Sequence, residues 1–274
     1  MKILSVVLCL FLAACANIPS PAERRSLADA LAKEQGWQAI SLPAEAFELV
    51  AYLPAEPGRA ATLTVYIEGD GFAWISGSQA SADPTPRDPL ALRLALAHPE
   101  GNSVYLARPC QYVNAEASSC ASRYWTEMRF APEVIAATNH AIDRLKQAFN
   151  ASRLTLVGYS GGGTVAALAA ARRTDVERLV TVAGNLDQRA WTTYHRIRPL
   201  TGSLNPADEI GALQGLRQWH FVGEKDRNIT PELVRNFANG FPENLRPVVL
   251  VEPEFDHQCC WARNWPRLFQ RVGG

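Results

Sequence analysis

The stretch from Arg153 to Ala171 constrains the fold more than any other part of the chain. Arg153-Leu154-Thr155-Leu156-Val157 is an apolar run with β-branched residues. It stops in Gly158-Tyr159-Ser160-Gly161-Gly162-Gly163, and an Ala-rich run, Ala166 to Ala171, follows. This order predicts a buried strand, a tight turn and a helix. Ser160 occupies the corner, within the pattern Gly158-x-Ser160-x-Gly162. Side chains on its neighbours would collide with the strand and helix that the turn joins, so glycine is required on both flanks. The serine backbone also lies at a helix N-terminus, where free N–H groups favour negative charge.

The same alternation runs through the chain. Strands are predicted at Phe47–Leu53, Thr62–Ile67, Ser103–Ala107, Val176–Ala183, Leu216–Val222 and Arg246–Val251. Helices are predicted at Pro89–Ala97, Pro132–Phe149, Pro231–Gly240 and Cys260–Val272. Strands alternating with helices imply an α/β fold with a mostly parallel central sheet and helices on both faces. Active residues of such sheets gather at the carboxyl ends of the strands. With 274 residues, 47% of them hydrophobic, the chain can bury one full core. Lys+Arg and Asp+Glu both total 27, which leaves no basic field to attract nucleic acid.

The first residues read as a targeting segment. After Met1-Lys2 comes an apolar run, Ile3 to Ala14, too short to span a bilayer but suited to a signal peptide. It ends in Leu12-Ala13-Ala14-Cys15, which resembles the lipobox of bacterial lipoproteins. That resemblance implies cleavage after residue 14 and lipidation of Cys15. It also implies a membrane partner through acyl chains such as palmitate, and a periplasm-facing place in the cell envelope. Ala16 stands where aspartate would signal inner-membrane retention, which implies the outer membrane. An ordinary secretory signal cleaved nearby is the alternative reading. Residues 15–45, rich in Ala, Pro and charge, are expected to form a tether carrying one helix, Ala22 to Gln35. The folded domain is expected over 46–274.

Either signal takes the protein to an oxidising compartment, so the remaining cysteines Cys110, Cys120, Cys259 and Cys260 read as disulfide candidates with three possible pairings. Cys110 with Cys120 is the local choice. Cys259 and Cys260 are neighbours, with Cα atoms about 3.8 Å apart across a trans peptide, short for a disulfide. No Cys-x-x-Cys or His-x-x-x-His spacing points to a metal. No cofactor motif stands out either. A P-loop lysine is missing after Gly158 to Thr164, and no first strand carries G-x-G-x-x-G.

With its strand–turn–helix setting and its strand order, the chain resembles the α/β-hydrolase family of serine hydrolases over roughly residues 45 to 272. In that family G-x-S-x-G forms the nucleophile elbow, and the order is nucleophile, acid, histidine. The resemblance implies Ser160 as nucleophile, Asp226 after the next-to-last strand as acid and His257 after the last strand as base. Asp187, after the strand that follows the elbow helix, is the rival acid. His98, His140, His195 and His220 are rival bases, and Asp256 is expected to shape its loop. The family takes one oxyanion donor from the residue after the nucleophile, here Gly161. The other comes from the loop Gly69-Asp70-Gly71-Phe72, with Phe72 favoured over Gly71 and Asp70.

That loop carries Glu68 and Asp70 rather than a His-Gly-Gly-Gly form. A carboxylate about 4 Å from a developing oxyanion repels it by roughly 4 kcal/mol at an effective dielectric near 20. Asp70 must therefore point away or be neutralised, and Arg108, at the end of a neighbouring strand, is its candidate partner. Residues 187–215, expected to be an irregular stretch with Trp191 and Tyr194, are a candidate cap insertion over the site. The implied activity is cleavage of an ester, thioester or amide of a small acyl-bearing substrate through an acyl-enzyme. The competing class is an inactive hydrolase-fold lipoprotein that binds a partner or organises the envelope.

Overall fold

A computed structural model describes residues 18–59, 61–99, 101–113 and 119–273. The signal segment and Cys15 lie outside the described residues. Eight strands make one sheet: β1 (Trp37–Ala44), β2 (Phe47–Pro54), β3 (Thr62–Ile67), β4 (Asn102–Leu106), β5 (Arg153–Tyr159), β6 (Val176–Val182), β7 (Arg217–Gly223) and β8 (Val248–Glu252). Their order is β1-β2-β4-β3-β5-β6-β7-β8. The β1–β2 and β2–β4 pairs are antiparallel, and every pair from β4 onward is parallel. This is the α/β-hydrolase fold.

Strand periodicity assigns the two faces. In β5, Leu154 and Leu156 join one hydrophobic cluster while Val157 and Tyr159 join the other. Side chains two apart share a face, so each parallel strand needs apolar residues at nearly every position. Helices α3 (Pro132–Ala148), α4 (Gly161–Ala170), α6 (Ile210–Leu213) and α7 (Pro231–Asn239) cover the first face. Helices α1 (Pro21–Glu34), α2 (Leu90–Leu96) and α8 (Trp261–Phe269) cover the second. On the second face Trp261 and Trp265 are fully buried, and the Trp265 indole N–H donates to Tyr66 Oη at 2.7 Å. The remaining helix, α5 (Gln188–Tyr194), follows β6.

Two expectations need correction. Residues 15–45 are not a tether over their described part. Ser20 caps α1 with a full capping box, and β1 pairs along its whole length with β2. Arg24, Ala28 and Ala32 of α1 are buried. The sequence hides β1 because Pro43 interrupts it; proline is tolerated there because β1 is the sheet edge. The stretch after Asp187 is likewise partly ordered, into α5, a 3-10 turn at Pro206–Asp208, and α6. No helix among the described residues is long and apolar enough to cross a membrane.

Candidate active site

Ser160 joins β5 to α4 with φ 51° and ψ −120°, a left-handed conformation that costs free energy for any residue but glycine. The surrounding backbone holds it: its N–H donates to Val182 O at 3.0 Å, and its carbonyl accepts from Gly163 and Asn185. The glycines on its flanks are required sterically. A Cβ on Gly158 would lie 2.2 Å from Gly162 O, and one on Gly162 would lie 2.2 Å from Ile67 O. The strand, turn and helix read from the sequence thus bring the hydroxyl to the carboxyl edge of the sheet.

Two loops meet it there. Asp226, in the loop between β7 and α7, is 3% exposed. Its Oδ1 accepts from the amides of Asn228 at 2.8 Å and Ile229 at 2.9 Å. Those bonds leave Oδ2 to face His257 Nδ1 at 2.8 Å. His257 lies between β8 and α8, and its Nε2 is 3.1 Å from Ser160 Oγ. A neutral ring with Nδ1–H toward Asp226 presents a lone pair at Nε2 to the serine hydroxyl. Asp256 shapes the loop: its Oδ1 accepts from the amides of Gln258 and Cys259, and these bonds hold its carboxyl below the usual range. Tyr159 packs on the His257 ring and donates to its carbonyl.

Asp187, His220, His98 and His195 are engaged elsewhere. Asp187 caps α5 through the amides of Arg189 and Ala190 and accepts from Asn205 at 2.8 Å. His220 is buried beside Thr181, and that burial pushes its pKa down to about 3. His98 bonds Tyr66, and His195 bonds the carbonyl of Asn228.

Sequence reading missed two participants in the triad region. Gly223, at the end of β7, lets the two loops approach, because a Cβ there would sit 2.4 Å from Phe255 O. Asn228 reaches His257 Nε2 through its Nδ2 at 3.2 Å. The Trp191 indole N–H donates to Asn228 Oδ1 at 3.1 Å, which fixes the orientation of the amide. Only the offset of Asn228 from Asp226 was visible in the sequence. Its contact with α5 was not.

On the other side of Ser160 lies the loop after β3. Gly71 has φ 66°, and a Cβ on it would meet Pro84 O at 2.0 Å. That close approach has a consequence for the expected oxyanion donor. The Phe72 amide donates to Pro84 O at 3.0 Å, so it is spent on the fold and Phe72 is not available. The Gly69 amide is likewise spent on Glu68 Oε1. Asp70 and Gly71 are the two amides of this loop that donate to no group among the described residues. Gly161 is the first residue of α4, where an N–H has no intrahelical partner.

Asp70 Oδ1 lies 3.3 Å from Arg108, the expected partner, and Oδ2 lies 2.6 Å from Arg129, which was not expected. Burial raises the Asp70 carboxyl, but the two guanidinium groups outweigh it and hold the acid below its ordinary range. Arg108 also donates to the carbonyl of Arg129, which locks the two together. Glu68 is fully buried, and that burial pushes its carboxyl up to about 7. Gln111 fixes the loop through Gly69 O at 3.0 Å. The Cys110–Cys120 disulfide closes the segment beside it, and Cys259 pairs with Cys260 across a cis peptide, with Cα atoms 3.1 Å apart.

A cleft of about 1070 Å³ opens beside Asp70 and Gly71. One wall is Trp74 and its loop; the other is Trp191 and residues 196–201. The segment expected to be a cap thus lines a cleft beside the loop after β3.

No protein-family model matches the sequence, and neither does any curated protein. Solved structures do match in fold. Est1E from Butyrivibrio proteoclasticus is 13% identical, with TM-score 0.58, over 85% of this chain and 98% of that one. An esterase of Pyrococcus furiosus, Pf2001, is 13% identical, with TM-score 0.59, over 88% and 95%. XC6422 from Xanthomonas campestris, described as an α/β serine hydrolase without a lid, is 14% identical, with TM-score 0.55, over 87% and 96%.

Proposed function

From this fold and this geometry we propose that the chain is a serine hydrolase that cleaves a carboxylic ester through an acyl-enzyme. The observation that carries the reading is the unbroken chain from Ser160 Oγ to His257 Nε2 at 3.1 Å and from His257 Nδ1 to Asp226 at 2.8 Å. A serine hydroxyl is a weak nucleophile until a base takes its proton. As Oγ bonds to the carbonyl carbon, its proton passes to Nε2, and Asp226 stabilises the imidazolium that forms. The carbonyl oxygen becomes an oxyanion, met by the Gly161 amide and the free amides of Asp70 and Gly71. Breaking the ester C–O bond sends the Nε2 proton to the departing alkoxide. Water then attacks the acyl-serine with the same base, releasing the acid and restoring the hydroxyl.

Ester rather than amide is supported by the fold neighbour from Pyrococcus furiosus, an esterase. The anchoring proposal rests on the Cys15 pattern: a lipid-anchored enzyme of the cell envelope, facing the periplasm. Loss of acyl-lipid labelling in Cys15→Ser tests that part. The chemistry is tested with a fluorophosphonate probe. The wild-type protein is expected to gain one adduct at Ser160 and to hydrolyse p-nitrophenyl esters, and Ser160→Ala to do neither. Absence of the adduct in the folded wild type would leave the fold as a binding scaffold.

A further inference from the structure

The cleft beside Asp70 carries more positive charge than the proposed chemistry uses. Arg196 and Arg198 line it and are exposed, and their guanidinium groups enter no ion pair or hydrogen bond among the described residues. Arg129 lines it too, but is bound to Asp70 together with Arg108. The other acid on the wall among the described residues is Glu127, held below the ordinary range first by the Thr126 hydroxyl and also by the fields of Arg198 and Arg129. Among the described residues three lining guanidinium groups, Arg129, Arg196 and Arg198, thus meet two lining carboxylates, Asp70 and Glu127, with Arg108 behind Asp70, and the local balance stays positive. Beside the arginines the same cleft is lined by apolar and aromatic side chains: Trp74, Trp191, Ile197 and Leu200. Exposed Ile75, beside Trp74, and Ile197 extend that character to the rim.

We infer that this cleft selects esters with an apolar arm ending in an anionic group, a carboxylate or phosphate, which Arg196 and Arg198 receive. The inference rests on the serine-hydrolase reading for its site and on the cleft for its specificity. Guanidinium groups match carboxylate and phosphate geometry with paired N–H donors. Trp191 places the arm beside the same Asn228 that touches His257, so the cleft leads to the reacting atoms.

The test compares isosteric esters. Mono-p-nitrophenyl glutarate is set against p-nitrophenyl pentanoate for charge on the acyl arm. For charge on the alcohol arm, 4-acetoxybutyrate is set against pentyl acetate. In one of the two pairs kcat/KM is expected to favour the anion by about tenfold at low ionic strength, and less at high salt. Arg196→Gln/Arg198→Gln is expected to bring that ratio close to one, while Arg235→Gln, a charge removed from α7, leaves it in place. Ratios at or below one in both pairs overturn the inference. So does a preference that survives the double substitution.

A second measurement separates this failure from failure of the hydrolase reading. Calorimetric binding of the same esters to Ser160→Ala protein needs no turnover. Tighter binding of the anionic member, lost in the arginine double variant, supports the site even if no ester is cleaved, and equal binding sinks it.

Discussion

The two sides of Ser160 solve opposite problems. On the side of the proposed triad a single buried carboxylate, Asp226, would be wanted as a charge, and short-range backbone donors from Asn228 and Ile229 hold it in place. On the oxyanion side two carboxylates, Glu68 and Asp70, are unwelcome where negative charge must develop. There the chain uses distant partners: Asp70 is clamped by arginines 38 and 59 residues away, and Glu68 is pushed toward its neutral form by burial. One side is built by local sequence and the other by tertiary packing. Changes on the first should therefore appear mainly in rate, and changes on the second mainly in stability, with a dependence on charge.

The largest effect belongs to the triad side. Asp226→Asn keeps the backbone bonds but favours the wrong imidazole tautomer, and steady-state kinetics are expected to show kcat lower by on the order of 10³–10⁴. A loss below about tenfold would make the two sides alike in kind. Next comes Arg129→Gln. It leaves Asp70 with Arg108 alone and is expected to cost on the order of 3 kcal/mol in denaturant unfolding. Adding Asp70→Asn should recover much of that loss. If it does not, Arg129 acts through packing on Trp191 rather than by compensating charge.

Glu68 gives a smaller effect with a defined sign. Its folded pKa of about 7 lies above the ordinary 4.5, so the folded state binds the proton more tightly than the unfolded chain. Stability therefore falls as pH rises from about 4.5 to about 7. Glu68→Gln should remove that slope and stabilise the protein at pH 8 by on the order of 1–3 kcal/mol, with little gain at pH 4. Thermal unfolding across that range checks it. The smallest effect is at Asn228. Its Nδ2–H bonds the same Nε2 lone pair that takes the serine proton in the proposed mechanism, and this contact would be lost once the proton arrives. An interaction present in the ground state but lost in the transition state slows the chemical step. Asn228→Ala, which keeps the backbone amide that supports Asp226, should raise kcat a few-fold, about 1 kcal/mol. A fall would identify the side chain as a support for the ring.

What could be read in advance follows the same division. Ser160, Asp226 and His257 each stand just past an apolar strand, and glycines mark the corner; the elbow pattern singled out Ser160, and the family resemblance implied the other two, which the fold brings within hydrogen-bond reach of one another. The central sheet was legible for the same reason, since β3 to β8 are nearly unbroken apolar runs. Arg129, Gly223, Asn228 and the fate of the Phe72 amide were not legible. Each depends on a partner brought near only by folding: Asp70, Phe255, His257 and Pro84. Strand β1 was obscured by Pro43, which only its position at the sheet edge makes acceptable.

The capped start of α1 sets a length scale. The helix begins at Pro21 and is docked on the sheet, so a lipid on residue 15, as proposed, would leave only residues 16–20 as slack. Fully stretched, such a leash reaches roughly 18 Å. An anchored enzyme of this design would ride within a headgroup layer or so of its bilayer, meeting amphiphilic substrates at the lipid boundary rather than sweeping the open compartment.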